Sequence, residues 1–258
     1  MIFRAILLAL STYSRLPMPM LKLKGGEERL VLPCLPLVGA VLGAAELLLY
    51  LACRALALPD AALVLLLSAL PLLFTGGIHT DGLIDTEDAR NSFRSREDKI
   101  RILKDPHVGA FGVLRLLLFF MLLWAGLFIL LKKPMPVAVI CVYLPGSFVF
   151  SRSLCALLSL LLPSAKESGM LYQLKKGGRG PAFLPGAVLT GLLVLYIFTD
   201  IKSGVLYALL QAILLLYYIH MTKKEFGGDS GDTAGWLICM SEWTAVAALS
   251  LATLWGGL

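Results

Sequence analysis

Three aspartates, Asp81, Asp85 and Asp88, stand four and three residues apart in Gly76-Gly77-Ile78-His79-Thr80-Asp81-Gly82-Leu83-Ile84-Asp85-Thr86-Glu87-Asp88. On a helix, residues at i, i+4 and i+7 share one face. Carboxylates crowded on one face repel each other unless a cation lies among them. Ligands that offer only oxygen suit Mg²⁺ or Mn²⁺ rather than zinc. Glu87 points to another face of such a helix and is the weaker candidate. The plain alternative is a solvated acidic loop. The Gly-Gly break at the edge of an apolar run argues against it.

A second acidic cluster, Gly227-Gly228-Asp229-Ser230-Gly231-Asp232-Thr233-Ala234-Gly235, reads either as a turn before a helix or as part of a shared site. Asp232 is placed to cap the last apolar segment. Ten residues on, Glu242 lies inside that segment. An ionisable group at such depth is a functional candidate by default. Glu46 and Arg152 lie in other apolar runs. Arg152 needs a partner in the bundle interior, and Glu46 is as well explained by a structural partner as by a site. Between the clusters, Arg90, Arg94, Arg96, Lys99, Arg101 and Lys104 precede Asp105-Pro106-His107-Val108-Gly109-Ala110-Phe111-Gly112. Cations facing carboxylates and metal suit a pyrophosphate substrate. Lys104-Asp105, beside a Gly-rich helix entry, is the most specific of these, and His79 and His107 flank the segment.

Those residues must be held by apolar elements. Of 258 residues, 58% are hydrophobic, above the 45–50% or so of soluble domains. Seven runs approach the roughly 20 residues that a bilayer demands: 31–53, 56–78, 110–131, 136–162, 182–199, 203–220 and 235–256. The fourth contains Pro145 and Arg152 and is expected to be kinked, tilted or broken. The expected fold is all-α, a polytopic membrane bundle of about seven transmembrane helices forming one domain over residues 1–258. The N-terminal stretch Met1–Pro17 lacks a clean cleavage site and reads as a retained interfacial or half-inserted helix ended by Pro17.

The net charge of +6 does not argue for nucleic acid, because the cations sit in short loops between apolar runs. With the N-terminus in the cytoplasm, segments 1–30, 79–109, 163–181 and 221–234 face inward and carry 17 of the 23 basic residues. The outward loops carry four, namely Arg54, Lys132, Lys133 and Lys202. That asymmetry sets the orientation. Segments 79–109, 163–181 and 221–234 are then the cytoplasmic active-site loops of a multi-pass protein of a bacterial or archaeal cytoplasmic membrane. In 166–179, Lys175-Lys176-Gly177-Gly178-Arg179 reads as a contact for nucleotide or lipid headgroups, or as a topology signal. The five cysteines, Cys34, Cys53, Cys141, Cys155 and Cys239, have no metal-site spacing and read as packing residues.

With these motifs in view, the chain resembles the cobalamin synthase family, whose members are adenosylcobinamide-GDP ribazoletransferases. The family hallmark GG-x-H-x-DG-x-x-DT-x-D is met by Gly76 to Asp88. An I-x-KD segment followed by G-A-F-G is met by Ile102 to Asp105 and Gly109 to Gly112. The C-terminal G-x-x-x-GD-x-x-G with a following Glu is similar to Gly227 to Gly235 with Glu242. Arg15-Leu16-Pro17 and Pro36 to Gly39 match N-terminal landmarks, so the likeness spans essentially the whole chain. Thr80, Arg101, Pro106 and His107 depart from the usual family residues, which weakens any role for Arg101 or His107.

The resemblance implies transfer of α-ribazole or its 5′-phosphate onto adenosylcobinamide-GDP. The products are adenosylcobalamin or its phosphate and GMP, and the reaction depends on Mg²⁺. It leaves room for a homo-oligomer or a complex with other cobalamin-assembly enzymes. In that frame Asp81, Asp85 and Asp88 hold Mg²⁺ on the diphosphate, and Asp229 and Asp232 complete a second metal site or bind through water. Lys104 and Arg152 offset charge on the departing GMP, Asp105 joins the catalytic set, and Asp88 or Glu242 accepts the hydroxyl proton. His79, Arg90, Arg152, Asp229 and Asp232 contact substrate. Transfer from a pyrophosphate requires such charge neutralisation and positioning.

Rival readings fit less well. CDP-alcohol phosphotransferases use D-x-x-DG-x-x-AR, and Ala89 stands where that pattern needs Gly. Membrane prenyltransferases space their acids by four after an Asn, whereas Thr80 precedes Asp81 and the last gap here is three. A cation transporter needs acids deep in several spans. Glu46, Arg152 and Glu242 keep that reading open, but most acids lie at one depth.

Overall fold

The computed structural model describes residues 1–19, 26–132, 136–175 and 180–255. Lys22, Lys24, Lys133, Lys176 and Arg179, counted above among the basic residues, lie outside the described residues. Helix α1 (Ile2–Tyr13) is followed by a short turn, α2 (Glu28–Val31), that leads through Leu32–Cys34 into α3 (Leu35–Ala55). Helices α4 (Asp60–Thr75), α5 (Ile78–Asn91) and α6 (Arg96–Ile102) come next, then α7 (Ala110–Lys132) and α8 (Val137–Leu161). The chain ends with α9 (Met170–Lys175), α10 (Phe183–Thr199), α11 (Ile201–Met221) and α12 (Gly231–Leu254). Among the described residues there is no strand, only one isolated bridge between Ser164 and Asp229.

Five segments are long and apolar enough to cross a bilayer: Glu28–Ala55, Ala110–Lys132, Ala138–Leu161, Ile201–Phe226 and Gly231–Leu254. Helix α4 is apolar but bends by 93° into α5, so that pair is at most a sixth span. The remaining expected run, 182–199, is α10, with 17 residues, or about 26 Å at 1.5 Å per residue against a core of about 30 Å. Helix α1 has 12 residues and ends at Tyr13, before Pro17. It buries Ala5, Leu8, Ala9 and Tyr13 and packs on α3. Helix α8 continues through Pro145.

Helix α12 is the central strut, packed against α5, α7, α8 and α11. Helix α7 sits at the periphery and exposes Leu114, Leu117, Leu118 and Met121, a ridge suited to hydrocarbon. The bend after α4 has a local cause. Gly76 and Gly77 have φ of 68° and 82°, the left-handed region that a side chain disfavours. Gly76 ends α4, as glycine commonly ends helices, and Gly77 starts α5 in a new direction. The segment 79–109 is therefore two helices and a turn rather than a loop. Asp81, Asp85, Glu87 and Asp88 sit on α5, bent by 93° from α4.

Candidate active site

Helix α5 lies close against the first turns of α12. A Cβ on Gly82 would stand 2.5 Å from the carbonyl oxygen of Asp232, and one on Gly235 would stand 3.0 Å from that of His79. Only glycine at these two positions permits the approach, and the approach sets Asp232 beside the acidic face of α5. Ser230 is the N-cap of α12, accepting from the Thr233 N–H in a reciprocal capping box. Asp232 therefore sits within the first turn rather than at the cap, and its carboxylate is left to pair with Lys166 Nζ at 3.1 Å.

Asp85 is the electrostatic centre. Burial, then the neighbouring charges of Asp81, Asp232 and Asp88, push its carboxyl up to about 7, with Lys166 opposing. Such crowding is what a cation relieves. Among the described residues no three His, Cys, Asp or Glu side chains surround one point. Mg²⁺ does not require that, since it usually keeps several waters and takes one or two carboxylates together with substrate phosphates. Asp85 with Asp81 or Asp232 meets this demand, so the donor set fits the ion that the family resemblance implies.

Asp88 is committed elsewhere. It is buried, and its two oxygens accept from the backbone N–H groups of Gly109 and Gly112, each at 2.8 Å. It thus caps the entry to α7 from 21 and 24 residues away. A Cβ on Gly112 would stand 2.5 Å from an Asp88 oxygen, and one on Gly109 would also collide with this carboxylate. The glycines of the Gly-Ala-Phe-Gly segment are thereby explained. Asp229 is likewise enclosed, accepting from the Tyr218 hydroxyl at 2.6 Å, Thr233 Oγ1 at 3.2 Å and Lys175 Nζ at 3.4 Å. Backbone bonds from Asp229 N to Pro163 O and from Ala165 N to Asp229 O, both 2.8 Å, carry Lys166 to the site.

Arg90 faces the other side of α5. It pairs with Glu87 at 3.0 Å and Glu225 at 3.4 Å, donates to the Tyr217 hydroxyl, and lies over the Tyr217 and Trp236 rings. Glu87 accepts from Trp236 Nε1 at 2.7 Å, which accounts for its lesser candidacy. Lys104 and Asp105 are exposed. Hydrogen bonds from the backbone N–H and ring of His107 hold the Asp105 carboxyl below the usual range. The backbone of this turn meets the site through Leu103 O, 3.4 Å from Lys166 Nζ.

Arg152 is fully buried and has the expected interior partner, Glu242. Ten residues separate Glu242 from Asp232, about 15 Å along a helix axis. Glu242 and Arg152 are therefore not brought to the acidic face. They border a cavity of about 100 Å³ within the bundle, together with His79 and with Glu46, neither of whose oxygens has a hydrogen-bond partner. His79 is buried, stacked on Tyr13 with centroids 6.4 Å apart. Burial first, and then the Arg152 cation, lower its pKa well below the ordinary value, so the ring is neutral.

A separate cavity of about 270 Å³ opens under the acidic face, lined by Asp81, Lys166, Asp229, Asp232 and His79 and by Tyr13, Leu171 and Ile238. Sequence reasoning placed Lys166 in a segment read as a nucleotide or headgroup contact or as a topology signal, and did not single out Tyr13. No local pattern reveals them, because Lys166 meets Asp232 across 66 residues. What this arrangement can do is hold a hard cation and a phosphate beside a cleft.

The profile of the Cobalamin-5-phosphate synthase family matches residues 5–250. An adenosylcobinamide-GDP ribazoletransferase of Lachnoclostridium phytofermentans is 33% identical over 95% of this chain and 92% of its own length. One from Clostridium perfringens is 28% identical over 96% of this chain and 98% of its own. One from Chlorobaculum tepidum is 31% identical over 85% and 84%. No solved structure matches.

Proposed function

The chain belongs to the Cobalamin-5-phosphate synthase family, and from that membership we propose the reaction it performs at the α5–α12 junction. It is a ribazoletransferase that joins adenosylcobinamide-GDP and α-ribazole, the activity that its relatives' names carry. α-Ribazole 5′-phosphate serves in the same way. The nucleoside hydroxyl attacks the phosphorus on the corrinoid side of the diphosphate and gives up its proton to solvent water, the bond to the GMP oxygen breaks, and GMP leaves with that electron pair.

The observation that carries this reading is the meeting of Asp81, Asp85 and Asp232 with Lys166 over a cavity. Mg²⁺, when bound, supplies Lewis acidity and neutralises the diphosphate. Asp85 with Asp81 or Asp232 would hold it. Lys166, at the edge of these acids, binds phosphate charge that the acids would otherwise repel. The neutral His79 orients substrate by hydrogen bonding rather than by charge. Asp88 and Asp229 act by position, fixing α7 and the Lys166 segment around the acids.

The N-terminus and the acidic face lie on the cytoplasmic side of a cytoplasmic membrane, supported by the excess of Lys and Arg in the segments that share that side. The test is GMP release from adenosylcobinamide-GDP and α-ribazole by the protein in detergent. Release that needs Mg²⁺ and is abolished by a chelator is expected. No release with Mg²⁺ present would refute the reading, and ion flux in vesicles without GMP release would favour a transporter.

A further inference from the structure

On the Arg90 side of α5 a groove of about 820 Å³ runs between α7, α11 and α12. Helix α7 lends it Arg115, Leu118 and Leu122, and α11 lends Leu210, Leu214 and Tyr217. Helix α12 lends Trp236, Met240 and Trp243. In each set the spacings are three and four, so each is one stripe along one helix face. The stripes share a polarity. Their charged end carries Arg90, Lys99, Arg115 and Lys224, with Glu87 and Glu225 among them. From there each stripe runs about 10 Å toward the middle of the bundle, seven residues at 1.5 Å. The polar groups along the walls are engaged within the protein. The Tyr217 hydroxyl accepts from Arg90, and Trp236 Nε1 donates to Glu87. Thr244 Oγ1, also on the wall, donates to Ser241 O and accepts from Gln211 Nε2.

We propose that this groove seats an anionic phospholipid, its phosphate at the Arg115 and Lys224 end and an acyl chain along the three stripes. Charge argues for the phosphate. Four cations against two carboxylates leave two positive charges unmatched. Arg90 and Lys99 are matched by Glu87 and Glu225, at 3.0 and 2.9 Å. Lys224 is exposed and has no carboxylate partner among the described residues. Arg115 has half its side chain exposed and reaches Glu87 only at 3.6 Å. In the adjoining residues, exposed Arg94, Arg96 and Lys223 outnumber Glu97 and Asp98. Position argues for the chain. Leu118 and Ile213, both on the groove wall, are 43% and 64% exposed on helices that face hydrocarbon. At the mouth Phe93 is 88% exposed, an apolar ring that a headgroup layer would cover. A nucleotide would match the charge and leave the stripes bare. A zwitterionic lipid would match the stripes and leave the two charges unanswered. With the α5 end in the cytoplasm, the adjoining leaflet is the one that carries anionic lipid. The inference stands apart from the transferase reading.

The test uses the full-length protein in detergent, titrated with phosphatidylglycerol or with phosphatidylcholine of the same acyl chains, with bound lipid counted by native mass spectrometry. Saturable retention of phosphatidylglycerol, at least about fivefold tighter than phosphatidylcholine, is expected. Lys224→Gln and Arg115→Gln should each weaken it about fivefold, the factor that attraction of one basic residue to an anionic surface carries. Ile213→Trp, at an exposed position that needs no repacking of the core, should weaken it with every charge in place. Lys202→Gln removes a charge at the opposite end of α11 and should change nothing. Equal retention of the two lipids, an effect of Lys202→Gln as large as that of Lys224→Gln, or full retention by Lys224→Gln and Ile213→Trp would each overturn the proposal. Displacement of phosphatidylglycerol by adenosylcobinamide-GDP would overturn it too, and would give the groove to substrate.

Discussion

Asp85 and Asp88 have the same side chain and adjacent motif positions, yet their surroundings differ. Asp85 is only half-buried among like charges, and its pKa is pushed up to about 7. In a metal-free protein, the folded state therefore holds a proton on Asp85 that the unfolded chain releases near pH 4. Stability falls as pH rises through that window. Asp85→Asn is expected to flatten this fall, as read by thermal unfolding with chelator present across pH. The same substitution should lower GMP release by more than about a hundredfold. With wild-type protein at limiting Mg²⁺, activity should climb as pH passes about 7, because the ion must displace that proton. Asp88→Ala should act differently, removing the cap on Gly109 and Gly112 N–H groups and lowering stability by about 1–3 kcal/mol. If Asp88→Ala kept wild-type unfolding temperature, the capping role assigned here would be wrong.

At the scale of elements, the site depends on how closely two helices approach. Gly82→Ala adds one carbon that would stand 2.5 Å from the Asp232 carbonyl oxygen, so α5 must shift from α12. Displacements of this order reduce turnover by as much as about a hundredfold. Circular dichroism should report unchanged helix content in the variant, while GMP release drops. The seven apolar runs located every long helix to within a few residues. The exception in character is 56–78. The hydropathy pattern could not show that this run stops at Thr75 and that two left-handed glycines turn the following helix by 93°. The helical spacing of Asp81, Asp85 and Asp88 was legible, but which of them faces a cap and which faces its fellow acids depended on where α7 begins.

For the whole molecule, the proposed orientation rests on cations in the connecting segments. Single cysteines at Glu97, Glu167 and Lys223, in a background without the native cysteines, should react with an impermeant thiol reagent only from the cytoplasmic side. Cysteines at Asp60 and Lys202 should react only from the opposite side. Labelling of both groups from one side would reject the topology. Composition and spacing along the chain were enough to establish a helical membrane protein, its acidic motifs and its family likeness, because hydropathy, charge asymmetry and i, i+4 geometry are local properties. Other facts required the folded chain. Lys166 faces Asp232, Asp229 is enclosed by Tyr218 and Lys175, Asp88 caps a distant helix, and Glu242 pairs with Arg152 well below the acidic face. Each joins residues far apart in sequence, and such contacts are settled by which helices pack together. The acidic motif was legible in the order of its residues, but the packing of α5 on α12 decides which of its carboxylates face one another.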